Sequence, residues 1–284
     1  MESVGIVGAG TVGTALAIRL SQKGYRVSAV ASRTTESARR LARRVQTALV
    51  CSDAQGVANV SDLVFVTTPD GVIPTVVSSV KWRKGQSVLH CSGADSLDVL
   101  EPARKTGAQV GVFHPLQTFA SVDQAIANLT GSTFALEADE PLLGRLRQMA
   151  TDLGGHWVAL KAGDKVLYHA AAVMACNYVV TLVKLAGDLW ATFGIPQAEA
   201  TRALLPLLKG TLNNIENVGL PNCLTGPIAR GDTGTIRKHL AALEQKAPHL
   251  LSTYRELGLQ TIPISLAKGR VDPARADEMM RLLT

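Results

Sequence analysis

Several short segments combine residue types and spacings that suit chemistry. The first is Gly8-Ala9-Gly10-Thr11-Val12-Gly13, which follows an apolar run and opens an amphipathic helical pattern. Gly8 permits a tight turn, Gly10 lets the backbone approach a pyrophosphate, and Gly13 lets the helix pack closely on the strand. Phosphates bound there meet unpaired N–H groups and the positive end of a helix dipole. A tight strand-to-helix turn without a ligand is the plainer alternative, and the strand–helix–strand context weighs against it. The next apolar run ends in Ala31-Ser32-Arg33-Thr34. An NAD site places a carboxylate here, but the first acidic residue is Glu36, already inside a helical pattern. A guanidinium attracts the 2′-phosphate that a carboxylate would repel, and binds it through parallel hydrogen bonds. NADP is therefore the predicted cofactor, with Arg33 as the main phosphate ligand and Ser32 and Thr34 adding hydroxyl donors. Arg39, Arg40, Arg43 and Arg44 read mostly as a solvated helix face. Thr67-Thr68-Pro69 is predicted to line the cofactor with its backbone, and Asp70 to cap the helix that follows.

Candidate reaction chemistry lies further along. His90-Cys91-Ser92-Gly93-Ala94 and His114-Pro115-Leu116-Gln117-Thr118-Phe119 both follow strand-like runs and read as loops at one sheet edge. Histidine suits proton transfer near neutral pH, and Ser92 can hydrogen-bond a substrate carbonyl or carboxylate. Each histidine can equally serve as a structural partner in a turn. Lys165, His169, Val173 and Asn177 are spaced by four and form one stripe of a helix. Polar groups among Ala170–Ala175 are costly to bury without partners, and a cleft facing the nicotinamide would satisfy them. On that reading His169 protonates the reduced product, Asn177 orients the substrate oxygen, and Lys165 binds an anionic substrate or lowers a neighbour's pKa. The alternative is a packed His169 and an Asn177 that bridges buried backbone. In Leu224–Asp232, Arg230 clamps a substrate carboxylate or pairs with Asp232, and Asp232 or Thr233 caps the next helix.

The elements that position these residues follow from patterning. Apolar runs at Ser3–Val7, Tyr25–Ala31, Leu63–Thr67, Ser87–His90 and Gln109–Val112 alternate with helical patterns, which indicates a parallel sheet covered on both faces. Ser132–Leu136 and His156–Leu160, flanking a helix over Pro141–Leu153, extend it. The fold class is α/β, a doubly wound and mostly parallel Rossmann sheet, over residues 1–161. Residues 162–284 read as all-helical. Gln197–Glu216 contains Pro206, which should kink or split it, and Pro248–Leu257 is a further helix. Asp272-Pro273 reads as an N-cap with proline at the first helical position.

Composition bounds the alternatives. The 284 residues hold 46% hydrophobic and 18% charged side chains, ample for folded cores. A formal charge of +6 without a basic–aromatic surface pattern argues against nucleic acid. Four scattered cysteines, with no C-x-x-C pair, argue against a zinc site or a disulfide framework, so no metal is expected. No basic-then-apolar leader opens the chain, and the expected compartment is a reducing cytoplasm. The apolar stretch Ala170–Val183 is shorter than the ~20 residues a membrane span needs, so it reads as a buried helix.

GAGTVG, SRT after the second strand, HCSGA, HPLQTF, YHAAAVMACNYV and LTGPIARGD together resemble the Rossmann-like proteins that carry a C-terminal domain of unknown function, DUF2520. That group is similar to a wider set including 6-phosphogluconate dehydrogenase, ketopantoate reductase, pyrroline-carboxylate reductase and deazaflavin-linked NADP reductases. The resemblance implies an N-terminal dinucleotide domain, a helical second domain that forms a homodimer, and a site between them. It leaves ketopantoate or another 2-keto acid open as substrate. Several of those dehydrogenases place a catalytic lysine four residues before the asparagine; here that position is Val173, one turn after His169. Lys209-x-x-x-Asn213 has the spacing on a later helix and reads as coincidence. The expected activity is an NADP-dependent oxidoreductase moving a hydride between NADPH and a carbonyl or imine of a small, anionic substrate. The alternative is a non-catalytic NADP(H) sensor.

Overall fold

The computed structural model describes residues 2–46 and 48–284. The chain divides into two compact units, Met1–Cys176 and Asn177–Thr284. In the first, strands and helices alternate. They run β1 (Ser3–Val7), α1 (Thr11–Gln22), β2 (Arg26–Ala31), α2 (Thr35–Val45), β3 (Leu49–Val50), α3 (Ala54–Val60), β4 (Leu63–Val66), α4 (Ile73–Ser79), β5 (Ser87–His90), α5 (Glu101–Arg104) and β6 (Gln109–Leu116). Then come α6 (Val122–Asn128), β7 (Thr133–Ala138), α7 (Leu142–Asp152), β8 (His156–Ala159) and α8 (Lys165–Ala172). The described residues form one eight-stranded sheet in the order β3-β2-β1-β4-β5-β6-β7-β8. All neighbouring pairs are parallel except β6 with β7.

Strands apolar on both faces explain this layering. β1 and β4 are buried at every residue, so each side of the sheet needs a covering layer. Leu16, Leu41 and Leu146 of α1, α2 and α7 join one core, and Val57 and Val77 of α3 and α4 join another. Phe65, Phe113 and Phe134 are wholly buried on β4, β6 and β7. Their rings meet edge-on at 5.7 Å and tilted at 4.7 Å, close to preferred aromatic geometries.

One boundary differs from the sequence reading with a consequence for the site. β6 does not end at Val112 but continues to Leu116, because antiparallel β7 pairs with it as far as Leu116↔Thr133. His114 and Pro115 therefore sit in a strand, not in a loop.

The second unit is helical: α9 (Tyr178–Ala191), α10 (Gln197–Val218), α11 (Thr233–Lys246), α12 (Leu251–Ala267) and α13 (Pro273–Leu283). Pro206 lies inside α10 without dividing it, and α12 runs ten residues beyond the expected end at Leu257, past Pro263. Asp272 and Asp232 cap α13 and α11, accepting from the backbone N–H of Arg275 and Thr235 at 2.8 and 3.0 Å. Ile236, Ile262, Met279 and Leu283 form one buried cluster, and Leu243, Ala247 and Leu250 a second.

The expectation that Ala170–Val183 forms a buried helix is overturned. Met174 is 67% exposed and Val180 71%, and Leu167, just before the stretch, is 77% exposed. The helical run Lys165–Ala191 is long and apolar enough to cross a membrane by length and composition. Composition records that an apolar face needs cover; it does not say that the same chain supplies it.

Candidate active site

The glycine turn sits between the ends of β1 and α1. Gly8 has φ +114°, and a Cβ there would lie 2.7 Å from the Thr67 carbonyl carbon. At Gly13 a Cβ would come within 2.1 Å of the Gly8 carbonyl oxygen, so the helix approaches the strand as closely as glycine allows. Thr67 fastens the turn from β4, its hydroxyl donating to the Gly8 carbonyl at 2.7 Å. Gly10 differs from both: nothing lies within 4 Å of the position its Cβ would take. Ala9, Thr11 and Val12 complete the turn, with Thr11 the first residue of α1 and its N-cap Gly10 offering no side-chain cap. The first N–H groups of α1 therefore face an open space.

That space is a groove of about 360 Å³ whose walls include Gly8, Gly10, Ser32, Arg33, Thr68 and Pro69. The Ser32 hydroxyl is 3.4 Å from the Ala9 N–H. Thr34 is the N-cap of α2; its hydroxyl donates to Ser37 at 2.8 Å, and Arg40 donates to the same Ser37 oxygen at 3.4 Å. Arg33 has no hydrogen-bond or ion-pair partner among the described residues. The Thr68 hydroxyl oxygen is buried and also unpartnered, an arrangement that natural structures generally resolve with a ligand or water. Bare backbone donors at a helix start, a free guanidinium beside hydroxyls, and an orphaned hydroxyl together fit a phosphorylated dinucleotide. The capping role expected of Asp70 is not observed: Pro69 is the N-cap of the short 3₁₀ turn Asp70–Val72, and no side chain caps it.

The second cluster lies where β5 and β6 end. His90 is wholly buried. Its Nδ1 accepts from the Ser92 N–H at 3.1 Å, and its Nε2 lies 3.2 Å from the Ser96 carbonyl. Burial first, then the charge of Lys165, pushes its pKa down to about 3, so it is a neutral brace for the 90–96 loop. The Ser92 hydroxyl accepts from the N–H groups of Ala94 and Asp95 at 3.3 and 3.0 Å. Helix α8 delivers the remaining groups. Lys165 is only 2% exposed, and its ammonium donates to the Ser92 carbonyl at 2.6 Å. Burial lowers its pKa to about 8. Burial raises the Glu137 carboxyl, while Lys165 opposes that rise; Glu137 Oε2 is buried without a partner.

Three residues and one turn further along α8, Tyr168 and His169 reach the same place. The Tyr168 hydroxyl is 2.9 Å from His114 Nδ1, the rings edge-on at 5.6 Å. A Cβ on Gly93 would lie 2.6 Å from His169 Nδ1 and 2.9 Å from His114 Nε2, so both rings pack directly against this glycine and leave no room for a side chain. His169 Nδ1 is buried with no partner. Burial, then Lys165 and His169, takes the His114 pKa down to about 4.

Ser92, His114, Lys165 and His169 thus converge as a set within the first unit. Asn177 and Arg230 are exposed residues of the second unit. The π-helical turn Val173–Asn177 interrupts the four-residue repeat before Asn177, and π turns of this kind are frequent at functional sites. Three members were not singled out by the sequence reading. Tyr168 carried a usable signal, lying three residues after Lys165 on the same helix face. Glu137 carried another, a lone acid in an apolar strand. Gly93 had none, because only the fold brings two histidines against it. Among the described residues no group of His, Cys, Asp and Glu is arranged to hold a metal.

Comparison with known proteins agrees with this architecture. Residues 1–115 match the Rossmann-like domain family, and residues 132–261 match the Domain of unknown function (DUF2520). A Bacteroides fragilis structure named as a candidate NADP oxidoreductase is 28% identical, over 92% of this chain and 98% of that one, with a TM-score of 0.71. A Thermotoga maritima protein is 25% identical, over 94% of this chain and 100% of that one, with a TM-score of 0.78. A pyrroline-5-carboxylate reductase of Streptococcus pyogenes shares the fold at 19% identity, covering 99% and 98%, with a TM-score of 0.63. No curated protein matches the sequence. The chain belongs to the proteins that join a Rossmann-like domain to a C-terminal DUF2520 domain.

Proposed function

We propose that the protein is an NADP-dependent reductase acting on a carbonyl or imine of a small, anionic substrate. The observation that carries this reading is an alignment along one sheet edge. Arg33 follows β2, the glycine turn follows β1, Thr67–Pro69 follow β4, Ser92 and Gly93 follow β5, and His114 lies near the end of β6. These strands are consecutive neighbours in the sheet. At roughly 4.8 Å between strands they span about 19 Å, on the scale of an extended dinucleotide. Arg33, with Ser32, Thr34 and Ser37, would hold the 2′-phosphate. The α1 N-terminus at Gly10 would hold the pyrophosphate, and Thr67–Pro69 would line the ribose on the nicotinamide side. The bound cofactor supplies a hydride. The chain's own part is to orient the substrate between Gly93, His114 and His169, to hold or donate a proton there, and to set a positive potential through the buried Lys165. The name of the Bacteroides fragilis relative supports the cofactor assignment.

We also propose that the helical unit forms a homodimer. An apolar groove of about 440 Å³ on it is lined by Leu189, Phe193, Leu243 and Tyr254, and Leu207 and Leu220 are each 69% exposed. Apolar surface of this kind marks an interaction site.

The test is titration with both nicotinamide cofactors, followed by NADPH oxidation against 2-oxo acids and cyclic imines. Arg33→Asp is expected to weaken NADPH about 10- to 100-fold, the value of a charge-assisted phosphate contact, and NADH hardly at all. Equal losses for both remove the NADP assignment. Tight NADPH binding without turnover across the panel makes the chain a sensor.

A further inference from the structure

We propose that Lys165 is a positioning residue and not a substrate ligand: its buried ammonium pins the loop after β5 to α8 through the Ser92 carbonyl, so that residues 92–95 hold one conformation at the sheet edge. The kinetic part of this proposal rests on the reductase reading; the structural part stands without it.

The loop's own bonds leave one tie to make. Ser92 is 4% exposed, and its N–H, carbonyl and hydroxyl are all engaged. The N–H donates to His90 Nδ1, and the hydroxyl accepts from the N–H groups of Ala94 and Asp95. The far end is held where His90 Nε2 meets the Ser96 carbonyl. These bonds all lie between His90 and Ser96. Among the described residues, the bond from Lys165 to the Ser92 carbonyl is the one hydrogen bond that reaches residues 92–95 from outside β5 and its loop, and it joins residues 73 positions apart.

The location disfavours a lysine. Lys165 is the first residue of α8, at the positive end of the helix dipole, and is only 2% exposed. Burial and the dipole both oppose an ammonium there. Among the described residues it makes no ion pair; Glu137 of β7, Cys91 and Asp95 of the loop and Asp70 after β4 favour its charge from a distance. His90 and His114 are the imidazoles that feel that charge. So enclosed a group has no face to offer a substrate. What it does offer is a charge-assisted hydrogen bond to a backbone carbonyl, the stronger kind.

His90 completes the lock. Its Nδ1 accepts an N–H and so carries no hydrogen, while Nε2 faces a carbonyl and so carries it. A proton on Nδ1 would set two donors against each other at Ser92. The Lys165 charge opposes that protonation, after burial itself. One ammonium thus ties the loop through its hydrogen bond and guards the loop's inner brace through its charge.

For the reaction the consequence is placement. The loop follows β5, next in the sheet to β4, whose following residues Thr67, Thr68 and Pro69 wall the cofactor groove. Arg33 and the glycine turn follow β2 and β1. Loss of the tie therefore leaves the cofactor's own contacts in place and disturbs what stands beside them.

The test is amide hydrogen exchange on the full chain, wild type against Lys165→Met, which keeps an unbranched apolar stem. The Ser92, Ala94 and Asp95 amides are expected to exchange about 10- to 100-fold faster in the variant, the worth of a hydrogen bond to a charged group. Val64 and Val88, paired in the sheet, should exchange as before. Unchanged exchange at the three loop amides overturns the proposal. If the variant loses the sheet protection as well, wild type decides. Nitrogen-15 NMR is expected to show Lys165 losing its proton near pH 8, lowered by burial, and His90 as the neutral Nε2–H tautomer from pH 8 to pH 5. A Lys165 that titrates near 10.5, or a His90 that shows Nδ1–H, overturns it. Kinetics is the last arm. Lys165→Met should lower kcat by about 10- to 100-fold, the scale of a small misplacement, with NADPH affinity retained. A loss confined to the substrate KM makes Lys165 a direct ligand and overturns the proposal. If wild type turns over nothing, the reductase reading falls, and exchange and NMR still decide the role of Lys165.

Discussion

In the sheet unit Phe65, Phe113 and Phe134 are fully enclosed by their own chain, and Leu16 and Leu89 are equally hidden. In the helical unit Val180, Leu207 and Leu220 keep 71%, 69% and 69% of their surface in contact with solvent. Both units draw on the same Ala, Val and Leu vocabulary. The sheet completes two cores because helices cover both its faces, whereas the helical unit closes only two small clusters. The polar groups differ in parallel. In the sheet unit a buried lysine and two histidines, His90 and His114, are held by specific bonds, and His169 packs against the same loop at Gly93. Such an arrangement has preorganised charge to offer, while an exposed apolar face has area to offer a partner.

That contrast can be broken in three places. The largest effect is expected in the sheet core. Phe65→Ala removes a ring that contacts Phe113 and should lower unfolding free energy by about 3–5 kcal/mol, read by urea denaturation. A loss below about 1 kcal/mol would mean that the core is looser than described. Next is acid sensitivity. His90 is neutral and buried with a pKa near 3, while an unfolded histidine titrates near 6.5. Below pH 6.5 the unfolded chain binds a proton that the native chain refuses, so stability falls as pH falls. From pH 7 to pH 5 the His90 contribution is about 2 kcal/mol. His90→Gln should flatten that slope, and an unchanged slope removes His90 as its source. The smallest stability effect belongs to the helical face. Leu207→Glu should change monomer unfolding by no more than about 0.5 kcal/mol, yet shift sedimentation from dimer to monomer. A wild-type chain that sediments as a monomer sinks the dimer proposal.

The parts legible from sequence were those set by short-range physics. The GAGTVG turn and its strand follow from steric needs at Gly8 and Gly13 that any sheet of this kind would impose. Ser87–His90 matches the expected bounds, its buried Val88 and Leu89 forming the apolar centre of the strand. The end of β6 was not readable, because its extension depends on a partner strand seventeen residues away in pairing register. Asp70 has the composition of a cap, but the chain turns one residue earlier, at Pro69.

The amino-acid order alone was enough to determine the doubly wound sheet, the tight glycine turn between β1 and α1, and the positive charge at Arg33 in place of a carboxylate. Each depends on residue type and spacing over a few positions, which local sterics and charge translate directly into structure. Only the tertiary structure decided that His90 is a brace, that Tyr168 orients His114, and that His114 and His169 meet at Gly93. These relations join residues from 6 to 76 positions apart, and a contact between side chains has no periodic trace in sequence; it exists only once the sheet edge and α8 have been packed together.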